Sequence, residues 1–323
     1  MVNNAEQLFK TQDFLKADLA KGFCSYLFSA EQSPSTEATA WALIALASSG
    51  VSSIEAVIDY LLKNQNIDGG WSTGPGLGTS DWTSGPAVLA LRIVDYYQPQ
   101  SGKRAQDIER GLTNAIHYLL SMRVDFLSPV ARLLLLLSKG ATGLHYARGW
   151  PWDPDCYNWI EPTSYCLMAL KIPIVINDEI SSSAVFHANK FLLDHACRGG
   201  GWNHGSFYSL GTFYPPYRVT TAEALLALPD KPLDNRVRDA LKYLSKIEEN
   251  NHSSMSLAWT VLALNAHGYD CDLHLKQLLT LQNADGSFGT NYFVTALSLL
   301  AMNTVNDVNP LRPIKSNANN KVI

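Results

Sequence analysis

The chain has 323 residues, of which 46 % are hydrophobic and 17 % charged, and its formal net charge is −4. That is apolar material for a substantial core, and without any basic stripe or block the composition excludes nucleic acid as an expected partner. No uninterrupted apolar run reaches the length of a membrane span; the stretch Val130 to Leu137 is short and broken by Arg132.

The N-terminus, Met1-Val2-Asn3-Asn4-Ala5-Glu6, carries neither a basic nor an apolar leader region, so no signal peptide is expected. Five scattered cysteines (Cys24, Cys156, Cys166, Cys197 and Cys271) make no disulfide framework. A cytoplasmic chain with free thiols is the expectation. Peripheral contact with a membrane and the oligomeric state are left open.

The predicted elements are almost wholly helical, and they come in two kinds. In chain order, short Ala/Leu-rich, nearly uncharged helices are expected over Thr39 to Ala47, Ala87 to Val94, Val130 to Leu137, Thr163 to Leu170, Thr221 to Leu228, Leu257 to Ala266 and Val294 to Met302. Between them fall amphipathic helices over Ile54 to Lys63, Ala105 to Met122, Ala184 to His195, Asn235 to Glu248 and Leu273 to Leu281. A helix apolar all round must be buried on all sides, whereas one with a polar face lies at the surface. The alternation therefore predicts concentric rings, uncharged helices inside and amphipathic helices outside. Ser35-Thr36, Thr79-Ser80, Pro162-Thr163 and Thr220-Thr221 supply hydroxyl caps or a first-turn proline at the starts of inner helices. From Thr304 to Ile323 there is no periodicity, and a loosely draped tail is expected. No linker divides the rest, so residues 1–303 read as one domain.

A repeated phrase supports the rings. Gln65-Asn66-Ile67-Asp68-Gly69-Gly70-Trp71 returns as Gln282-Asn283-Ala284-Asp285-Gly286-Ser287-Phe288, with a degenerate form at Gly199-Gly200-Gly201-Trp202. An aromatic–Leu pair precedes the Gln position by a fixed spacing at Tyr60-Leu61, and the same spacing recurs at Tyr26-Leu27, Tyr118-Leu119, Phe191-Leu192 and Tyr243-Leu244; Gln277-Leu278 is a copy without its aromatic. The Gln side chains are expected to bond neighbouring helix ends while Trp71 and Phe288 pack over them. These residues read as staples, not chemistry.

The Q-x-x-D-G-x-aromatic repeats, the Tyr60-Leu61-x-x-x-Gln65 spacing and the two kinds of helix resemble the terpene cyclase/prenyltransferase superfamily, which includes the squalene–hopene cyclases. The resemblance runs from about Tyr26 to Met302 and implies a single (α/α)6 toroid. It also implies an apolar isoprenoid substrate and a class II-like cyclisation begun by a carboxylic acid that protonates an alkene or epoxide. Matching Thr163 to the Thr of the family's D-x-D-D-T-A stretch puts Glu161 at the proton-donating position, with Trp159 and Pro162 at the flanking Asp positions. The acid is kept as Glu, and the rest of the acidic cluster is not.

Such an acid must stay protonated until substrate arrives, which burial favours. The cation then needs an aromatic wall and exclusion of water. Glu161 is the first candidate acid, Asp155 (or Asp153) a candidate partner, and Asp81, in Thr79-Ser80-Asp81-Trp82-Thr83, a second acid placed before a Thr. Glu37 and Glu223 also lie near inner-helix starts, where the helix dipole favours an acid anyway. Trp82, Trp150, Trp152, Tyr157, Trp159, Trp202, His204 and Tyr208 are the candidate substrate-binding residues. No zinc spacing, P-loop or dinucleotide fingerprint occurs, so no metal or cofactor is expected. The alternatives are a non-catalytic toroid that binds lipid or isoprenoid, or another toroid enzyme using its carboxylates as acid and base.

Overall fold

The computed structural model describes residues 4–19, 21–28, 33–122, 130, 148–154, 156–172, 179–209, 211–248 and 253–312. Among these the helices are α1 (Asn4–Leu19), α2 (Thr36–Ser48), α3 (Glu55–Lys63), α4 (Ser84–Tyr97), α5 (Gly102–Ser121), α6 (Ile160–Lys171), α7 (Glu179–Asp194), α8 (Arg218–Ala227), α9 (Asn235–Leu244), α10 (Ser254–Ala266), α11 (Asp272–Leu279) and α12 (Tyr292–Asn303). Even-numbered helices touch one another in sequence, and α12 returns to α2, closing an inner ring of six. Odd-numbered helices lie outside, each against the inner helix that precedes it, with α1 against α12. The fold is an (α/α)6 toroid.

The reason lies in side-chain pattern. In α2 all but one of the residues are buried, so the helix needs neighbours on every side. In α9 only Val237, Ala240, Leu241 and Leu244 are buried, at the three-to-four-residue spacing of one face.

The expected helix Val130 to Leu137 lies outside the described residues except for Val130, and the inner ring closes without it because α4 meets α6 directly. The sequence reading missed α1, the sixth outer helix. The pair assigned at Tyr26-Leu27 sits in a loop, where Ser25 and Leu27 form isolated bridges to Pro34 and Asn291. The equivalent pair is Phe14-Leu15, on α1. Gly69 packs on the carbonyl of Asn114, Gly200 on Asp239 and Gly286 on Lys10, in each case four residues before an aromatic followed by Leu: Tyr118, Tyr243 and Phe14.

The repeated phrase is a clasp between rings. The indole N–H groups of Trp71, Trp150 and Trp202 donate to the carbonyls of Leu61, Leu119 and Leu192 at 2.7, 2.7 and 2.6 Å. Gln65 Nε2 donates to Gly69 O at 2.7 Å and to Gly111 O on α5 at 2.8 Å. Gln282 Nε2 donates to Gln7 O and Thr11 Oγ1 on α1, both at 2.8 Å, and so ties the last repeat to the first helix.

The inner-helix hydroxyls do something other than the capping expected of them at several positions. Ser35 does cap α2. Thr163 and Thr221, however, lie inside the first turn, and each accepts the backbone N–H of the preceding clasp aromatic, Trp150 at 2.8 Å and Trp202 at 2.9 Å. Ser84 does the same for Trp71 and Thr295 for Phe288, while Thr39 accepts the N–H of Cys24, a position without an aromatic.

Past Asn303 the chain is packed further than expected. Thr304–Asn306 is a 3-10 turn, Asn309 Nδ2 donates to Leu262 O at 3.0 Å, and Leu311 is fully buried. Residues 313–323 lie outside the described residues.

At the opposite end of the ring from the inner-helix starts, buried Lys171 donates to Asn189 Oδ1 and Ala227 O at 2.8 Å and to Asp230 at 2.5 Å. Burial outweighs Asp230 and lowers its pKa from 10.5 to about 8. Between those two values the unfolded chain binds more protons, so this group makes stability rise with pH across that window. In urea titrations, Lys171→Met is expected to be most favourable relative to wild type below about pH 8 and to lose that advantage by pH 10.5.

Candidate active site

The hydroxyls that hold the clasps also fix which inner-helix residues share a level. Two residues before them stand Glu37 on α2, Trp82 leading into α4, Glu161 on α6 and Phe293 on α12. Two residues after them stand Trp41, Tyr165 and, on α8, Glu223. Trp41, Tyr165 and Trp259 come from alternate inner helices, yet their ring centroids lie 5.1 to 6.3 Å apart. Three such rings can meet only on the axis. They form an aromatic floor, and Glu37, Trp82, Glu161 and Phe293 stand one turn above it.

Carboxyl groups converge over this floor. Glu161 is 5 % exposed and Glu223 2 %. Glu161 Oε1 is paired with His204 Nδ1 and accepts the Thr220 hydroxyl at 3.1 Å. The Tyr165 phenol donates to Glu223 Oε1 at 2.6 Å. Glu161 Oε2, Glu223 Oε2 and the indole nitrogens of Trp41 and Trp259 are buried without a hydrogen-bond partner among the described residues. Buried polar atoms are rarely left so, and each such group calls for a physical reason.

Burial pushes the pKa of Glu223 well above the usual carboxylate value, reinforced by Glu161 and Glu37 and opposed by the Tyr165 hydrogen bond. Burial, with a smaller contribution from Asp81, raises Glu37 to about 8. At about 8, Glu37 is mostly protonated at neutral pH. Burial and the neighbouring carboxylates hold the Tyr165 phenol well above its ordinary value.

Two short ribbons shape the mouth. Strands β1 (Trp150–Pro151) and β2 (Asn158–Trp159) pair antiparallel, so the loop that enters α6 folds back on itself. Strands β3 (Tyr208–Ser209) and β4 (Thr212–Phe213) make a second antiparallel pair, with Tyr208 opposite Phe213. The Ile160 N–H donates to His204 O at 3.0 Å, which seats His204 beside the start of α6. An open cavity of about 340 Å3 lies here, lined in part by Tyr157, Trp159, Asn203, His204, Tyr214 and Tyr217. The His204 side chain is 57 % exposed, so it spans the distance from solvent to buried Glu161.

The structure separates the sequence-predicted residues. Glu161, His204, Trp82 and Trp152 come together around the axial rings; Trp82 stacks on Tyr165 at 5.8 Å and meets Trp152 edge-on at 4.8 Å. Tyr157 and Trp159 line the mouth, and exposed Tyr208 sits on the second ribbon. Trp150 and Trp202 are fully buried clasps between the rings and stand away from the axis. Asp155 lies outside the described residues.

Asp81 is a turn former. Its Oδ1 accepts from the N–H and hydroxyl of Thr83 at 2.8 and 2.7 Å, and its Oδ2 from Thr73 N–H at 2.9 Å. Burial nevertheless raises its pKa. Its apparent match to Glu161 is one residue out of register, because Ser84, not Thr83, makes the short clasp to Trp71. Glu37 and Glu223 are the acids that sequence reasoning set aside. The signal for Glu37 was present in Glu37-Ala38-Thr39, the same spacing as Glu161-Pro162-Thr163.

Among the described residues no cluster of three metal-ligating side chains occurs, and no helix is long and apolar enough to cross a membrane. No protein-family model matches the chain, and no curated protein matches it. Solved structures do. The type II terpene cyclase MstE from Scytonema is 15 % identical with a TM-score of 0.58, over 94 % of this chain and 98 % of that one. The ent-copalyl diphosphate synthase from Streptomyces platensis is 16 % identical with a TM-score of 0.53, over 83 % of this chain and 50 % of that one. The GH76A alpha-1,6-mannanase from Salegentibacter sp. HEL1_6 is 10 % identical with a TM-score of 0.64, over 95 % of this chain and all of that one. At these identities the likeness is one of fold: a toroid found both among type II terpene cyclases and among glycosidases.

Proposed function

We propose that the protein is a class II-like isoprenoid cyclase, in which a carboxylic acid of the axial cluster protonates an alkene or epoxide above the aromatic floor. One observation carries this reading: the carboxyl groups of Glu161 and Glu223 are buried beside the rings of Trp41, Tyr165 and Trp259, with Trp82 stacked on Tyr165, and burial raises the Glu223 pKa well above the usual carboxylate value. Protonating a weakly basic alkene needs an acid kept neutral by its surroundings. The cation so formed is attracted to aromatic faces, and the rings also keep water away. Glu161 lies on the solvent side of the cluster and is coupled to His204, so its carboxyl group is essential for proton supply. Asp81 supports the turn beside Glu37.

The test is incubation with a panel of prenyl diphosphates and squalene, scored for new cyclic products. Removing an acid of this kind lowers turnover by about 10^2- to 10^4-fold. Glu161→Gln is expected to fall in that range with little change in KM. Full activity in Glu161→Gln would remove the assignment, and Asp81→Asn is expected to act mainly through lost stability.

A second reading has its own support. Tyr157, Trp159, Tyr214 and Tyr217 surround an open mouth that also presents Asn158, Asn203 and Ser206, a surface suited to stacking sugar rings, and two carboxyl groups are what glycoside hydrolysis uses. Release of sugar from mannan or xylan oligosaccharides, with no product from the prenyl panel, would establish it instead.

A further inference from the structure

The axial acids are arranged as a ladder between α6 and α8. Glu161 and Tyr165 are four residues apart on α6, and Thr220 and Glu223 three apart on α8, so each pair shares a helix face. The rungs cross from helix to helix: Thr220 donates to Glu161 Oε1 at 3.1 Å, and Tyr165 donates to Glu223 Oε1 at 2.6 Å. The upper rung ends on His204, which reaches solvent. The lower rung ends at Trp41 and Trp259, against which Tyr165 packs. Since Tyr165 occupies Oε1 as donor, the proton of a neutral Glu223 carboxyl resides on Oε2, the oxygen that no group among the described residues engages. Glu223 is thus the acid whose proton is both free and closest to the aromatic floor.

We propose that Glu223 is the group that hands its proton to substrate, that Tyr165 positions it, and that the Glu161–His204 pair recharges it from solvent. This rests on the cyclase reading and names the donor within it. In the step itself the O–H bond of Glu223 breaks and its electron pair stays on the carboxylate. The π electrons of the terminal alkene form the new C–H bond, and the next double bond closes onto the cation. The final cation loses a proton from the adjacent carbon to water at the mouth. Glu223 then regains a proton from Glu161, which takes one from His204. One proton enters and one leaves, so the reaction is an isomerisation and needs no oxidant or reductant. The titratable group that faces this ladder from another inner helix is Glu37, which has Asp81 beside it.

Two measurements test the assignment. The first needs no substrate: the infrared difference between wild type and Glu223→Gln at neutral pH should contain the C=O band of a protonated carboxyl group, shifting in D2O. In Tyr165→Phe that band should move to higher frequency, because the carbonyl loses its hydrogen bond. The second is rapid quench with whichever panel compound the wild type cyclises. Glu161→Gln should yield a burst of about one product per enzyme and then stall, its donor charged but not recharged. Glu223→Gln should give no burst, and Tyr165→Phe a slower one.

A burst from Glu223→Gln, or none from Glu161→Gln, overturns the division of labour even if the wild type is a cyclase. Absence of the carboxyl band overturns the donor whatever the substrate. If the wild type cyclises nothing in the panel while the band is present, the cyclase reading has failed, and the catalytic role given to Glu223 goes with it.

Discussion

Gly286→Ala is expected to lower the unfolding free energy by roughly 3 kcal/mol or more, measured by urea titration. Gly286 has φ +93°, and a Cβ built there lies 2.5 Å from the carbonyl oxygen of Lys10. Left-handed backbone costs an L-residue about 1–2 kcal/mol. Overpacking adds about 1–3 kcal/mol, and here the obstructing atom is helix backbone, which cannot swing aside as a side chain can. Gly268→Ala separates the two terms. Its φ is +73°, but nothing among the described residues lies within 4 Å of the added Cβ, so only the conformational cost of about 1–2 kcal/mol should appear. Equal losses in the two variants would show that the close approach to α1 is not what demands glycine. Because Gly286 and Gln282 together hold α1, the same substitution should expose the segment after α1 to limited proteolysis before the remainder of the ring.

The clasps were legible in the sequence because backbone geometry imposes them. A turn that must pass within contact distance of a neighbouring helix accepts only glycine, and an indole that must reach a carbonyl recurs at a fixed distance from it. Helix α1 was not legible by the same signal. Its partner turn is over 270 residues away, at Gly286, and its own pair, Phe14-Leu15, is followed by Leu19 where the other copies have polar residues or Ala. The nearby Tyr26-Leu27 imitated it.

The site was half legible for a related reason. An acid near a helix start is favoured by the dipole whether or not it has a function, so Glu37 and Glu223 could not be told from ordinary first-turn acids. Only closure of the ring shows that they face the axis. Trp150 and Trp202 erred in the other direction, since tryptophan in an acidic or Gly-rich loop looks the same whether it clasps two rings or lines a pocket.

Trp41→Ala is expected to destabilise the protein by about 3–5 kcal/mol, the range for removing a large aromatic side chain from a core. Trp41 is fully buried, and its ring meets Trp259 edge-on at 5.1 Å, Tyr165 at 6.0 Å and Phe293 at 6.2 Å. The three surrounding rings belong to three different inner helices, α6, α10 and α12, so they cannot collapse into the gap together without shifting the inner ring. The cavity should therefore persist, and a persistent apolar cavity binds small aromatic molecules. Indole added at a concentration 100 times its Kd should restore about 2.7 kcal/mol to Trp41→Ala, and nothing to wild type. The same gap deepens the axial space beneath Glu37 and Glu161. Under the cyclase reading the rings confine substrate to the layer above them in wild type, so Trp41→Ala should shift product formation toward longer prenyl chains. A variant that loses stability, gains no indole response and keeps the same chain-length preference would mean that the three rings do not set the depth of the site.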